Sequence, residues 1–125
     1  MPPIRFDHFA IAVTRFKETT AFYQEVLGAQ LVEHTPGRFA YRWGQNQIMV
    51  LGPNPIVHPT EPIVPGSVDM CFVWPGPVEE AQAHLEQHGV AIDAGPMDRT
   101  GAGGSGRSVY FRDPEGNLLE FISYP

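Results

Sequence analysis

Three side chains able to hold a divalent metal, His8, Asp69 and Glu120, stand at matching points of a chain that repeats itself. One imidazole and two carboxylates make a hard, oxygen-rich donor set, suited to Mn, Fe(II), Ni, Zn or Mg rather than to copper or another thiophilic metal. A metal so held would polarise a substrate oxygen as a Lewis acid, while a carboxylate moves a proton. Glu120 is the candidate for both roles, ligand and base. Other patterns are weaker. His84 and His88 have the spacing of zinc-protease ligands, but the glutamate falls at Glu86 and not directly after the first histidine, so they read as a solvated helix edge. Gly101 to Gly106 matches the dinucleotide fingerprint letter for letter, yet a strand follows it where that motif needs a helix. The stretch reads instead as a mobile loop over a pocket mouth or as a plain surface hairpin, with Arg99 and Arg107 at its ends available to an anionic substrate. Cys71 reads as a small buried residue, and His58 as a further histidine that could swing in as a ligand.

The elements that must position these residues are legible from periodicity. Residues 6–13 alternate as a strand with His8, Ala10 and Ala12 on one face and Phe9, Ile11 and Val13 on the greasier other. Thr14 is the expected cap of a helix whose apolar stripe, Phe16, Thr19/Thr20, Tyr23 and Val26/Leu27, covers that greasy face until Gly28 stops it. Strands are expected at about 29–35, 38–44 and 46–51. A second strand at 67–74, with Asp69 in the place of His8, leads to a helix from Pro77 to His88 that ends at Gly89. His8 to Asp69 and Gly28 to Gly89 share one 61-position offset. Later the offset grows by eight, and Tyr41 is matched to Tyr110 and Leu51 to Glu120. A strand near 90–93, a long loop and strands at about 107–112 and 118–123 follow, the last two joined by a turn at 113–117. The reading is α+β: two βαβββ modules forming a curved mixed sheet around a cleft, helices on the outer face. Face parity puts His8, Met49, Leu51, Asp69, Cys71 and Glu120 on the helix-free side, where Met49 and Leu51 make the site apolar for a hydrophobic substrate.

At 125 residues the chain is expected to be one domain, with module one at about 4–53, a proline-rich linker at about 54–65 and module two at about 66–125. The net charge of −6 with a single lysine, Lys17, gives no basic stripe for nucleic acid. One cysteine excludes an intramolecular disulfide. No stretch approaches the roughly 18 apolar residues of a membrane span, and no signal peptide is visible, so a cytoplasmic protein is expected.

The two modules, the run Phe22-Tyr23-Gln24-Glu25-Val26-Leu27-Gly28, the run from Tyr110 through Asp113-Pro114-Glu115-Gly116-Asn117 to Glu120, and the Asp7-His8 opening together resemble the vicinal oxygen chelate superfamily. That group includes glyoxalase I, bleomycin-resistance proteins, fosfomycin-resistance transferases and extradiol dioxygenases. The segments Pro65 to Asp69 and Asp98 to Ala102 look most like its small glyoxalase-like members. The resemblance implies metal ligands on the first and fourth strands of each module, mapping to His8, Leu51, Asp69 and Glu120. Leucine cannot ligate, and many relatives have histidine where this chain has Asp69. It further implies a metal-dependent lyase or isomerase acting on a small substrate with vicinal oxygens, through an enediolate. The pocket residues would be Met49, Leu51, Cys71, Arg99, Arg107 and Tyr110, and the chain a homodimer. A metal-free, antibiotic-like binding protein of the bleomycin-resistance type is the alternative. An extradiol dioxygenase comes third, disfavoured by Asp69, and a fosfomycin-type transferase fourth.

Overall fold

The computed structural model describes residue 2, residues 5–52 and residues 64–125. The linker and His58 therefore lie largely or wholly outside the described residues. Module one runs β1 (Phe9–Ala12), α1 (Phe16–Glu25), β2 (Gln30–Thr35), β3 (Arg38–Trp43) and β4 (Asn46–Leu51). Module two runs β5 (Asp69–Val73), α2 (Val78–Gln87), β6 (Ile92–Gly101), β7 (Gly104–Arg112) and β8 (Leu118–Ser123). Each module has its own four-stranded mixed sheet, ordered β1-β4-β3-β2 and β5-β8-β7-β6. The helix carries the chain across the sheet, and the three following strands return by tight antiparallel turns. The last strand of each module thus lies parallel to the first. The chain divides at Pro65/Gly66 into two compact units, one per module.

In module one, α1 lays its buried Thr19, Thr20 and Tyr23 on the sheet. Tyr23 stacks on Tyr41 with ring centroids 4.6 Å apart, and Phe16 meets Phe39 at 4.9 Å. The Tyr41 hydroxyl is shared with Thr20 at 2.9 Å, and the Trp43 indole donates to the Leu27 carbonyl at 2.6 Å. The two ring pairs add about 0.5–1.5 kcal/mol each beyond their burial. The helix begins one residue later than its sequence signal: Arg15, not Thr14, is the N-cap, and its guanidinium reaches Glu18 at 3.1 Å. Gly28, at φ +68, turns the chain out of the helix.

In module two, Val78, Ala81 and Leu85 form the buried stripe of α2. Gly89, at φ +69, ends the helix with the paired bonds Val90 N to Leu85 O and Gly89 N to Glu86 O. Pro77 is the N-cap rather than the first helical residue. His88 is exposed as expected, while His84 packs against Trp74 at 5.2 Å. The expected long loop is a strand: β6 runs to Gly101 and meets β7 in a tight hairpin. Gly95 and Pro96, which argue against a strand in sequence, are absorbed by register shifts between Ala94 and Met97 on the sheet's edge, where a missing N–H costs no ladder bond. The 113–117 turn is as anticipated. Asp113 Oδ1 accepts from Glu115 N and Asn117 N, and Gly116 sits at φ +92. Asn117 ties the turn to the start of β5 by donating to Asp113 Oδ2 at 2.8 Å and accepting from Val68 N at 3.0 Å.

Strand register corrects the internal match made from sequence. Val13 N donates to Leu51 O in module one, and Trp74 N donates to Ile122 O in module two. Ala10 pairs with Met49 as Cys71 pairs with Glu120. The counterpart of Glu120 is therefore Met49, and Leu51 corresponds to Ile122. By the same ladders Tyr41, paired with Ile48, matches Phe111, paired with Leu119, and Ala40 matches Tyr110. Tyr41 and Tyr110 look alike in sequence but point to opposite faces, Tyr41 into the aromatic core under α1 and Tyr110 to the helix-free side.

Candidate functional site

On the helix-free face of module two, Asp69 and Cys71 of β5 lie beside Leu118 and Glu120 of β8, and Tyr110 of β7 is directly opposite Glu120. Alternation sends their neighbours Met70, Leu119 and Phe121 into the core. Glu120 is half-buried, and its Oε2 accepts from the hydroxyl of fully buried Ser108 at 2.5 Å. A charge-assisted bond of this length fixes the carboxylate. Partial burial beside the Glu120 and Asp69 carboxylates pushes the Cys71 thiol up to about 12, with burial the largest cause. Cys71 is solvent-accessible, not the buried residue expected from sequence, and it stays a neutral thiol at physiological pH. Arg99 donates from Nε to the Tyr110 hydroxyl at 2.9 Å.

Arg107 departs from its expected place. It has the parity of Val109 and Phe111, on the helix side, where it lies 3.6 Å from both Glu79 of α2 and Asp98 of β6. With Arg99 it lines a cleft of about 1010 Å³ between the start of α2, the β6–β7 hairpin and Tyr124. Two flanking carboxylates already neutralise it. The hairpin is held by Tyr124, whose hydroxyl accepts from Gly103 N at 3.0 Å.

In module one, Met49 and Leu51 share the helix-free face with Ala10 and Ala12. His8 stands one residue ahead of β1 on the same parity. Its Nδ1 meets Asp7 Oδ1 at 2.5 Å, and that bond holds the Asp7 carboxyl below its usual range. With Nδ1 engaged by a carboxylate, Nε2 is the nitrogen left to ligate, the arrangement in which metal-bound imidazoles are commonly oriented. Asp7 and Ser108 are the residues that sequence reasoning had not assigned a part in the site. Asp7 carried a signal in its adjacency to His8, whereas Ser108 had none, because its partner lies on another strand. Among the described residues no three His, Cys, Asp or Glu side chains lie close enough to hold an ion, and no helix is long and apolar enough to cross a membrane.

Comparison with known proteins places this arrangement. A virulence protein of Salmonella typhimurium is 37% identical over 122 residues, 96% of this chain and 84% of that protein. The structure of an integron cassette protein from V. cholerae superposes with a TM-score of 0.92 at 37% identity, covering 100% of this chain and 98% of the other. At the level of fold alone, an antibiotic binding protein from Streptomyces sp. CB03234 matches at TM-score 0.76 and 23% identity, covering 100% and 99% of the two chains. A fosfomycin resistance protein from Listeria monocytogenes, complexed with Mn(II) and 1S,2S-dihydroxypropylphosphonic acid, matches at 0.69 and 20%, covering 97% and 90%. The sequence model of one family spans residues 5–121. With its duplicated βαβββ modules and these relatives, the chain belongs to the Glyoxalase/Bleomycin resistance protein/Dioxygenase superfamily.

Proposed function

We propose that the chain is a metal-dependent, glyoxalase-like lyase or isomerase acting on a small substrate with vicinal oxygens, with His8, Asp69 and Glu120 as ligands. The observation that carries this reading is Glu120, a half-buried carboxylate on the helix-free face with Oε2 pinned by Ser108 and the Cys71 thiol beside it. His8 supports it, because Asp7 occupies Nδ1 and orients the ring. The donor set suits a hard or borderline divalent ion, which when bound would acidify the substrate C–H bond. Glu120 takes that proton on Oε1 and returns it, while Ser108 holds Oε2 so that the carboxylate does not rotate away. Ser108 and Asp7 are positioning residues. The neutral Cys71 thiol offers no nucleophile to divert the reaction, and Tyr110, opposite Glu120 in the ladder, has its hydroxyl held by Arg99. The fosfomycin resistance protein of the same fold, complexed with Mn(II), lends the metal a precedent.

The test is metal content by plasma mass spectrometry on untagged protein, stripped and reloaded with Mn, Fe(II), Ni, Zn or Mg. Near-stoichiometric metal is expected, lost in Glu120→Ala, with turnover of hemithioacetals, 2-oxoacids or epimerisable thioesters. The proposal includes a homodimer. Mixing His8→Ala with Glu120→Ala restores a fraction of the activity if each site takes ligands from two copies. One observation favours a second reading, a metal-free binder of antibiotic-like molecules: the module-one counterpart of Glu120 is the apolar Met49, with Leu51 beside it. No metal under any loading, together with saturable binding of aromatic compounds, would establish that reading instead.

A further inference from the structure

Among the described residues of β2, β3 and β4, the helix-free face of module one carries basic side chains and no acidic one, in a chain of net charge −6. Strand register puts Arg38 and Arg42 of β3 and Gln47, Met49 and Leu51 of β4 on that face, and His34, in the bulge of β2, reaches it through its contact with Gln47. The one carboxylate in these strands, Glu33, has the opposite parity and accepts from Gly37 N. Arg42 is half-buried, and among the described residues no carboxylate forms an ion pair with it. It is held instead by a neutral group. Gln47 Oε1 accepts from Arg42 Nε at 3.2 Å and from Nη2 at 3.0 Å, and lies 3.3 Å from His34 Nε2. Gln47 Nε2 donates to Met49 Sδ at 3.3 Å, so both ends of the amide are engaged and its orientation is set. With its oxygen as the shared acceptor, His34 donates from Nε2. Ala40, in the row between, is fully buried beneath these longer side chains.

A partly desolvated guanidinium, oriented by an amide that leaves its charge uncompensated, is a receptor awaiting an anion. Here two donors of the fork go to Gln47, and Nη1 with the rest of Nη2 has no partner among the described residues. The register adds a location: Phe9 pairs with Ile48, so His8, one residue earlier, falls at the level of Gln47. The cationic cluster and the candidate metal ligand of module one are neighbours.

We propose that Arg42, with His34 beside it and Gln47 fixing its orientation, binds the anionic group of the substrate, a carboxylate or phosphate oxyanion, on the helix-free face of module one. This deepens the proposed function by naming its substrate class, a small organic anion, and it rests on reading that face as part of the substrate site. Anion binding here does not require the metal, which separates its failure from failure of the metal reading.

The experiment is a titration of metal-stripped protein with acetate and with inorganic phosphate, followed by NMR of arginine side-chain Nε–H and histidine ring signals. The expected result is a saturable shift of the Arg42 and His34 signals with at least one probe. The tighter of the two probes tells carboxylate from phosphate. Arg42→Gln is expected to weaken binding by about tenfold or more, corresponding to about 1.4 kcal/mol, while Lys17→Gln, on the exposed side of α1, leaves it unchanged. Should Arg42→Gln fold poorly, as read by its melting temperature, His34→Gln on the exposed edge is expected to weaken binding a few-fold without unfolding. Absence of a saturable shift with either probe, unchanged affinity in Arg42→Gln, or shifts mapping to Arg99 or Arg107 instead would overturn the proposal.

Discussion

Cys71 offers the most direct test of how the helix-free face of module two is built, because it is the only cysteine and every alkylation event reports on it. Its thiol is pushed from 9.0 up to about 12 by burial first, then by the charge and hydrogen bonding of Glu120 and the charge of Asp69. The thiolate is the reacting form, so a three-unit rise cuts its population near pH 8 by about a thousandfold. A more basic thiolate is also more nucleophilic, with a Brønsted slope of about 0.4–0.5, which returns roughly a factor of twenty. Native protein should therefore react with iodoacetamide about ten- to a hundredfold more slowly than the same chain in denaturant. Access does not limit the rate, since the side chain is exposed. The rate should keep rising with pH through 10 instead of levelling near 9. Replacing Glu120 by glutamine removes two of the four causes that raise the value and should speed alkylation several-fold, while burial and Asp69 still hold it below the denatured rate. Mass spectrometry of timed aliquots from pH 7 to 10 reads all of this. A native rate equal to the denatured one, or no response to Glu120→Gln, would refute the placement of Glu120 beside Cys71. The sign for stability follows. A folded value above the unfolded one contributes stability that is whole below about pH 9 and is lost as pH rises toward about 12.

Two further outcomes are expected. Ser108→Ala removes the donor to Glu120 at a fully buried position and should cost about 1.5–3 kcal/mol in urea unfolding, as for a hydrogen bond to a charged group. If Ser108 positions Glu120, the variant should also hold metal less tightly, which Ser108→Thr partly restores. Asn117→Ala breaks the bonds to Asp113 Oδ2 and Val68 N at a site only 1% exposed, and should lower stability by about 2–4 kcal/mol, seen as a lower melting temperature with the helix-free face chemically intact.

The sequence by itself determined the class of fold and the faces of its strands. Alternation in β1 and β5, helical spacing from Phe16 to Tyr23 and from Val78 to Leu85, and glycines 28 and 89 at positive φ are local signals. Because side chains alternate strictly along a strand, parity alone put His8, Asp69 and Glu120 on helix-free sides. Tertiary structure decided what depends on pairing. Aromatic similarity matched Tyr41 to Tyr110, but one residue of register reverses a side chain, and only the ladders show that Met49 is the counterpart of Glu120. Gly95 and Pro96 resembled loop residues until an edge strand accommodated them. Arg107 read as a pocket cation until its parity placed it against Glu79. The contacts that give the candidate residues their chemistry, Ser108 on Glu120 and Gln47 between Arg42 and His34, join different strands. Spacing along the chain carries no record of such neighbours, because they exist only once the strands are laid side by side.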